Sequence, residues 1–227
     1  MAAPPPTRLL LGTSSRKKLG ELLPILSGAP LTLVTPADLG LNLDVEETGE
    51  TFRDNAILKA NAFARAAGLP ALADDSGLEV DALHGAPGVR SARYAGPGAS
   101  DAERITLLLR NLARVPAGQR SARFRCTMAL ATPEGLVGTV DGTCEGEIAF
   151  APRGHNGFGY DPVFLLSPQA SPQGRTMAEL EDEEKHAISH RGRAGRAALE
   201  LIERWLAGRR GPWGGATTRL AGPPTSP

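Results

Sequence analysis

The chain has 227 residues, 41% of them hydrophobic, which is enough for one α/β domain or for two small lobes that share a sheet. Lys plus Arg and Asp plus Glu balance at 25 each, which excludes a global basic field for nucleic acid or for an anionic membrane. Two cysteines without zinc spacing, an N-terminus without an apolar signal segment and the lack of any run of transmembrane length point to reduced thiols in a cytoplasmic protein.

Met1 to Thr7 is Ala/Pro-rich and reads as a flexible N-terminus. Arg8 to Leu11 is predicted as a strand. The small-residue loop Gly12-Thr-Ser-Ser15 follows, then a helix from Arg16 to Leu26 with Leu19, Leu22, Leu23 and Leu26 on one side. Leu31 to Thr35 is a second strand, stopped by Pro36, and Asp44 to Glu50 is an acidic loop. Thr51 to Ala67 is a helix, with Thr51 and Asp54 as a variant capping box and Phe52, Ala56, Ala60, Phe63 and Ala67 as its apolar stripe. Asn55 and Lys59 share a face that is expected to point away from that stripe.

Leu72-Ala-Asp-Asp-Ser-Gly-Leu-Glu-Val80 reads as two extended flanks with a sharp turn at Gly77. That puts Asp74 and Asp75 at a strand end, on opposite faces. Ser100 and Glu103 form a capping box for a helix to about Arg114. Phe124 to Ala131 and Leu136 to Cys144 are two strands joined at Pro133-Glu-Gly135. A Gly-rich loop, Gly154 to Asp161, leads into a strand from Val163 to Leu166. Thr176 and Glu179 cap a short helix, and Ser189 caps the last one. Residues 208–227 read as a disordered Gly/Pro-rich tail. The order of strands and helices argues for an α/β fold with a mixed sheet.

Four segments carry chemistry. Gly12-Thr-Ser-Ser-Arg-Lys-Lys18 offers backbone N–H groups, hydroxyls and charge at a helix N-terminus, which suits a phosphate. Glu46 and Glu47, with Asp74 and Asp75, could assemble an oxygen-rich Mg²⁺ site. Gly154-His-Asn-Gly-Phe-Gly-Tyr-Asp161 could leave the Phe158 ring face free for a planar base. Lys185, His190 and Arg191 cluster donors near a helix start.

Taken together, these segments resemble the inosine/xanthosine triphosphate pyrophosphatase (dITP/XTP diphosphatase) family. The resemblance is carried by Gly12 to Lys18, Glu46-Glu-Thr-Gly49, Thr51 to Lys59, Asp74-Asp-Ser-Gly77, Gly85 to Tyr94, Phe158-Gly-Tyr-Asp161 and Glu184 to Arg191, in family order across residues 8–207. It implies an elongated mixed sheet with flanking helices, two lobes around a central cleft, and a homodimer. It also implies Mg²⁺-dependent cleavage of a purine nucleoside triphosphate to the monophosphate and pyrophosphate. By position, Asp75 resembles the proton acceptor and a metal ligand, and Glu46, in preference to Glu47, a second ligand. Thr13, Ser14, Ser15, Arg16, Lys17, Lys18, Lys59 and Ser76 resemble the phosphate and sugar contacts. Phe158, Gly159, Tyr160, Asp161, Lys185, His190 and Arg191 resemble the nucleoside contacts, with Arg191 expected to donate to an oxygen at purine C6. The family usually has Asn where Ser15 stands.

Overall fold

The computed structural model describes residues 7–209. Apart from residues 7, 208 and 209, the flexible end expected over residues 1–7 and the tail expected over residues 208–227 lie outside the described residues. The strands are β1 (Arg8–Leu11), β2 (Thr32–Val34), β3 (Ala71–Val80), β4 (Ser121–Thr132), β5 (Gly135–Ile148) and β6 (Phe164–Leu166). They form a six-stranded sheet in the order β2-β1-β3-β4-β5-β6. β1 runs parallel to β2 and β3, and the remaining pairs are antiparallel, so the sheet is mixed as expected. The helices are α1 (Arg16–Ile25), α2 (Phe52–Ala67), α3 (Asp101–Asn111), α4 (Asp182–Ile188) and α5 (His190–Arg209).

Local capping chemistry sets several of these boundaries. Thr51 and Asp54 exchange side-chain and backbone hydrogen bonds at the start of α2, as do Ser100 and Glu103 at α3. Each pair satisfies two N–H groups that the first helical turn leaves orphaned. Thr176 and Glu179 do the same for a 3-10 turn, Met177–Glu179. Ser189 accepts from the Gly192 N–H at 3.1 Å and opens α5. α4 was not anticipated. It is a short helix of about two turns with its own cap from Glu181 and Glu184, and it ends where Ser189 begins the next helix. α5 is the longest of the described helices, His190–Arg209.

The sheet is buried on both faces at its β1–β3–β4 end. Leu9, Leu11, Leu72, Met128 and Leu130 point to a core closed by Leu22 and Leu26 of α1 and by Ala194, Ala198 and Ile202 of α5. Leu10, Ala71, Ala73, Ala129 and Ala131 point the other way, onto Ala56, Ala60, Phe63 and Ala64 of α2. This is strict strand alternation. A third core lies at the other end of the same strands. There Leu78, Val80, Phe124, Cys144 and Ile148 meet Ile105, Leu108 and Leu112 of α3 and Phe164 of β6. One lobe holds the first two cores, the other lobe holds the third, and β3, β4 and β5 run through both. Among the described residues, no helix is long and apolar enough to cross a membrane.

Two expectations need correction. Asp74 and Asp75 lie in the middle of a strand, not at its end, because each residue from Ala71 to Val80 is paired with β4. A full-length partner strand overrides the turn preference of Asp-Ser-Gly. Gly77 is required for close approach instead of for a turn. A Cβ at Gly77 would lie 2.5 Å from Ser91 Oγ and 2.6 Å from the Gly88 carbonyl oxygen. The 3-10 segment Gly88–Arg93 presses on the strand here, and Ser91 Oγ accepts the Leu78 N–H at 2.9 Å. Gly77→Ala is expected to destabilise the protein by about 1–3 kcal/mol, the usual range for overpacking. The urea midpoint should fall at an unchanged m-value.

The second correction concerns α2. Asn55 is fully buried and Lys59 is 9% exposed, so neither faces away from the core. Asn55 follows Phe52 by three residues and Lys59 follows Ala56 by three. At roughly 100° per residue Lys59 falls about 20° and Asn55 about 60° beyond Phe52, so both flank the apolar stripe on the side that meets β3.

Candidate active site

The site forms where β3 passes from one lobe to the other. Strand alternation sends Asp75 to the α2 side and Asp74 to the side of α1 and α5. Asp75 accepts from Lys59 Nζ at 2.9 Å and from Asn55 Nδ2 at 3.3 Å. Lys59 also donates to Glu47 Oε1 at 2.7 Å, and Glu47 pairs with Arg93 at 3.4 Å. Burial pushes the Asp75 carboxyl above its usual range, and the neighbouring Glu47 adds to this, while Lys59 opposes it. Burial acts to lower Lys59, but Asp74, Asp75 and Glu47 outweigh it and hold the ammonium protonated.

Glu47, not Glu46, is the acidic-loop residue that reaches this point. Val45, Glu47 and Gly49 are half-buried while Asp44, Glu46, Thr48 and Glu50 are exposed. Burial along the loop alternates with period two, and of the two adjacent glutamates it is Glu47 that faces inward. Oxygens of Asp75 and Glu47 both lie within 3 Å of one ammonium, at 2.9 and 2.7 Å. Two carboxylates converging on one cationic position fit a hard divalent ion that takes its other ligands from phosphate and water. Among the described residues, no group of three or more His, Cys, Asp or Glu side chains is gathered as a metal cluster.

On the other face, buried charges alternate in a chain. Lys18 pairs with Asp74 at 3.0 Å, and Asp74 with Arg191 at 3.4 Å. Arg191 pairs with Glu21, Glu21 with Lys185 at 2.5 Å, and Lys185 with Asp161 at 2.6 Å. Asp161 in turn accepts the Phe158 N–H at 2.8 Å. The chain therefore runs from the loop after β1 to the loop that carries Phe158. Burial acts to raise Glu21 and Asp74, yet their cationic neighbours bring both below their usual range. Asp161 is raised, chiefly by burial.

Arg191, expected to read the base, is tied into this chain of charges. Its terminal nitrogens donate to Glu21, to Ser76 Oγ at 2.7 Å and to Asp74. Its Nε has no hydrogen-bond partner among the described residues. Arg191 organises the charges around the pocket and keeps its buried Nε N–H unpaired. His190 stacks on Phe124, with ring centroids 4.7 Å apart and planes 16° from parallel. Burial keeps that imidazole neutral. Both residues lie in the first turn of α5, which sits directly on β5. A Cβ at Gly142 would lie 2.2 Å from the His190 carbonyl oxygen, so only glycine admits the helix there.

Two cavities adjoin along the cleft. The first, of about 130 Å³, is lined by Ser76, Phe124, Phe158, Gly159, Tyr160, Asp161, Lys185, His190 and Arg191 among others. The Phe158 ring has Lys185, Arg191 and Lys17 at 5.0, 5.6 and 5.7 Å from its centroid. Tyr160 is buried and donates to the Ser91 carbonyl at 2.9 Å, which fixes the loop. The second cavity, of about 380 Å³, is lined by Thr13, Ser14, Ser15, Lys17, Lys18, Glu47 and Lys59 among others. Asp75 borders it through Lys59. Thr13 Oγ1 accepts the Ser15 N–H, and Ser15 caps α1 by accepting from the Lys18 N–H. Arg16 and Glu46 are exposed and line neither cavity.

Sequence reasoning missed Glu21, Phe124, Asp101 and Arg104. Glu21 lies opposite the leucine stripe of α1 and reads as solvated. It is buried because α4 and the start of α5 cover that face. Phe124 reads as a core residue and serves also as the platform for His190.

The chain is similar over most of its length to known proteins. The chain is 52% identical over 188 residues to a dITP/XTP pyrophosphatase of Geobacter sulfurreducens, covering 83% of this chain and 92% of that protein. It is 47% identical over 197 residues to a dITP/XTP pyrophosphatase of Geobacillus kaustophilus, covering 87% and 93%. A HAM1 protein from Coxiella burnetii superposes with a TM-score of 0.76 at 42% identity, over 87% of this chain and 99% of that one. A solved nucleoside-triphosphatase / dITP/XTP pyrophosphatase from Mycobacterium abscessus gives 0.68 at 45% identity, over 85% and 99%. The Ham1 family profile matches residues 9–201, which takes in both lobes, both cavities and the charge chain between them, so the chain belongs to the Ham1 family.

Proposed function

We propose that residues 8–207 form an enzyme that hydrolyses nonstandard purine nucleoside triphosphates, namely ITP, dITP and XTP, to the monophosphate and pyrophosphate, and so cleanses the nucleotide pool. One observation carries this reading. An aromatic pocket rimmed by buried charges shares a wall with a lysine-rich pocket, where Lys59 gathers the carboxylates of Asp75 and Glu47. That is the layout of a planar base followed by a chain of phosphates.

Water is the nucleophile in this reading. Burial pushes the Cys144 thiol up to about 11 and the Cys126 thiol further, so neither supplies a thiolate. Asp75 takes the proton of the attacking water, the task for which a carboxylate raised by burial is suited. Lys18 and Lys59 lie where the departing phosphates are held. Asp75 and Glu47 would hold Mg²⁺, which when bound supplies positive charge against the phosphate oxygens. Dialysis against a chelator is expected to abolish turnover, and added Mg²⁺ to restore it.

Lys185 carries the base preference. It has three donors and no acceptor, and Glu21 and Asp161 take two of them. The remaining N–H suits the C6 oxygen of hypoxanthine or xanthine and opposes the amino group of adenine. An unpaired buried donor costs about 1–3 kcal/mol, so kcat/KM for ITP should exceed that for ATP by roughly 10- to 100-fold. The deciding experiment is a nucleotide panel with Mg²⁺, with pyrophosphate and orthophosphate measured separately. Pyrophosphate in equal amount with monophosphate is expected, and stepwise orthophosphate would mean a phosphatase instead. The protein is also read as a homodimer, checked by light scattering for twice the 23.7 kDa of one chain.

A further inference from the structure

Where the sugar of such a nucleotide must lie follows from how the two cavities meet. Their linings share Lys18, Ala92, Asp101, Arg104 and Phe158. A base in the aromatic pocket and phosphates in the lysine-rich pocket leave the sugar against these side chains. Ala92 and Phe158 present no polar side-chain atom, and Lys18 and Arg104 are donors only. Asp101 is the acceptor at the junction, and a sugar hydroxyl brings the donor it lacks.

Asp101 is unusually well fixed for a residue at a cleft mouth. Its carboxylate accepts from Lys17 Nζ at 2.8 Å, from Arg104 of its own helix, and from the Gly159 N–H of the Phe158 loop. Burial acts to raise this carboxyl, but the hydrogen bonds from Lys17, Gly159 and Arg104 bring it down to about 2, so it stays ionised. An ionised carboxylate offers about four lone-pair sites, and these partners leave about one of them. The side chain keeps 29% of its surface accessible.

We propose that Asp101 accepts a hydrogen bond from the 3′-hydroxyl of the sugar and is thereby a specificity-determining residue, an assignment that rests on the nucleotide reading above. The choice of hydroxyl follows from the substrates in that reading. dITP lacks the 2′-hydroxyl, ITP and XTP carry it, and all three carry the 3′-hydroxyl. An acceptor that serves all of them reads the group they have in common.

The test compares dITP with 2′,3′-dideoxy-ITP, which differ only in the 3′-hydroxyl. The wild-type protein is expected to favour dITP in kcat/KM by roughly tenfold or more, as a hydrogen bond to a charged group supports. Asp101→Ala should bring that ratio close to one. Asp101→Asn keeps a carbonyl oxygen as acceptor and should retain an intermediate ratio. Thermal unfolding checks that both variants are folded. Equal wild-type rates on the two substrates would overturn the assignment. So would an Asp101→Ala variant that loses the same factor on both, since that marks Asp101 as a mere tether between Lys17 and the Phe158 loop. Failure of the wild-type protein to cleave ITP or dITP at all would instead overturn the nucleotide reading on which the assignment rests.

Discussion

Asp75→Asn lowers kcat by about 10²-fold or more, the usual contribution of a positioned acid or base, and leaves the fold intact. Asn keeps the shape of the side chain and its place between Lys59 and Asn55, while removing both charge and basicity. Asp75 is 5% exposed at the middle of a fully paired strand, so the substitution disturbs no backbone. The pH dependence follows from the same surroundings. Burial raises the Asp75 carboxyl above 3.8, and a proton acceptor works only when ionised. kcat/KM of the wild-type protein should therefore rise with pH on an acidic limb. That limb should vanish in the variant. A folded Asp75→Asn protein that turns over near the wild-type rate would remove Asp75 from the chemistry.

Glu21→Gln should lower stability by about 3–5 kcal/mol at neutral pH, the cost of breaking a buried ion pair by removing one partner. Glu21 is 9% exposed and stands between Lys185 and Arg191. Without its charge, two buried cations face each other with one carboxylate fewer. The sign with pH is fixed by the lowered carboxyl. A group held below its unfolded value of 4.5 contributes stability in full above that pH and loses it as pH falls through the folded value. Urea midpoints of the wild-type protein and the variant should therefore differ widely at pH 7 and converge in acid. Equal midpoints at pH 7 would show that the alternating chain is not coupled through Glu21.

Much of the fold was legible because its signals are local. Thr51 with Asp54, Ser100 with Glu103, and Thr176 with Glu179 are capping pairs that need nothing beyond one helical turn. The β4–β5 hairpin was likewise visible from its apolar runs and its turn residues, although both strands extend further than their apolar stretches. Placement against distant elements was not legible. Asp74, Ser76 and Gly77 read as a turn because nothing nearby announces that β4 will pair with all of them. Lys59 read as facing away from the apolar stripe of its helix, and its burial depends on Asp75 and Glu47 arriving from two other segments. The choice between Glu46 and Glu47 turned on which parity of an extended loop faces inward, and that is set by Lys59 and Arg93. Glu21 left no trace at all, since its partners follow it by more than 160 residues.

The continuity of β3 and β4 across both lobes has a consequence for how the cleft can work. Rotating two bodies about a pivot requires a few residues that absorb a large backbone change. Here the segment joining the lobes is laddered to its neighbour from Ala71 to Val80 without a break, so it offers no such joint. The gap between the base side and the phosphate side is set by the coiling of one sheet. The spacing between the two pockets is thus carried by paired strands, and not by a loop. Adjustment falls to long side chains at the rim, such as Lys17 at 60% exposure, and not to the frame that carries them.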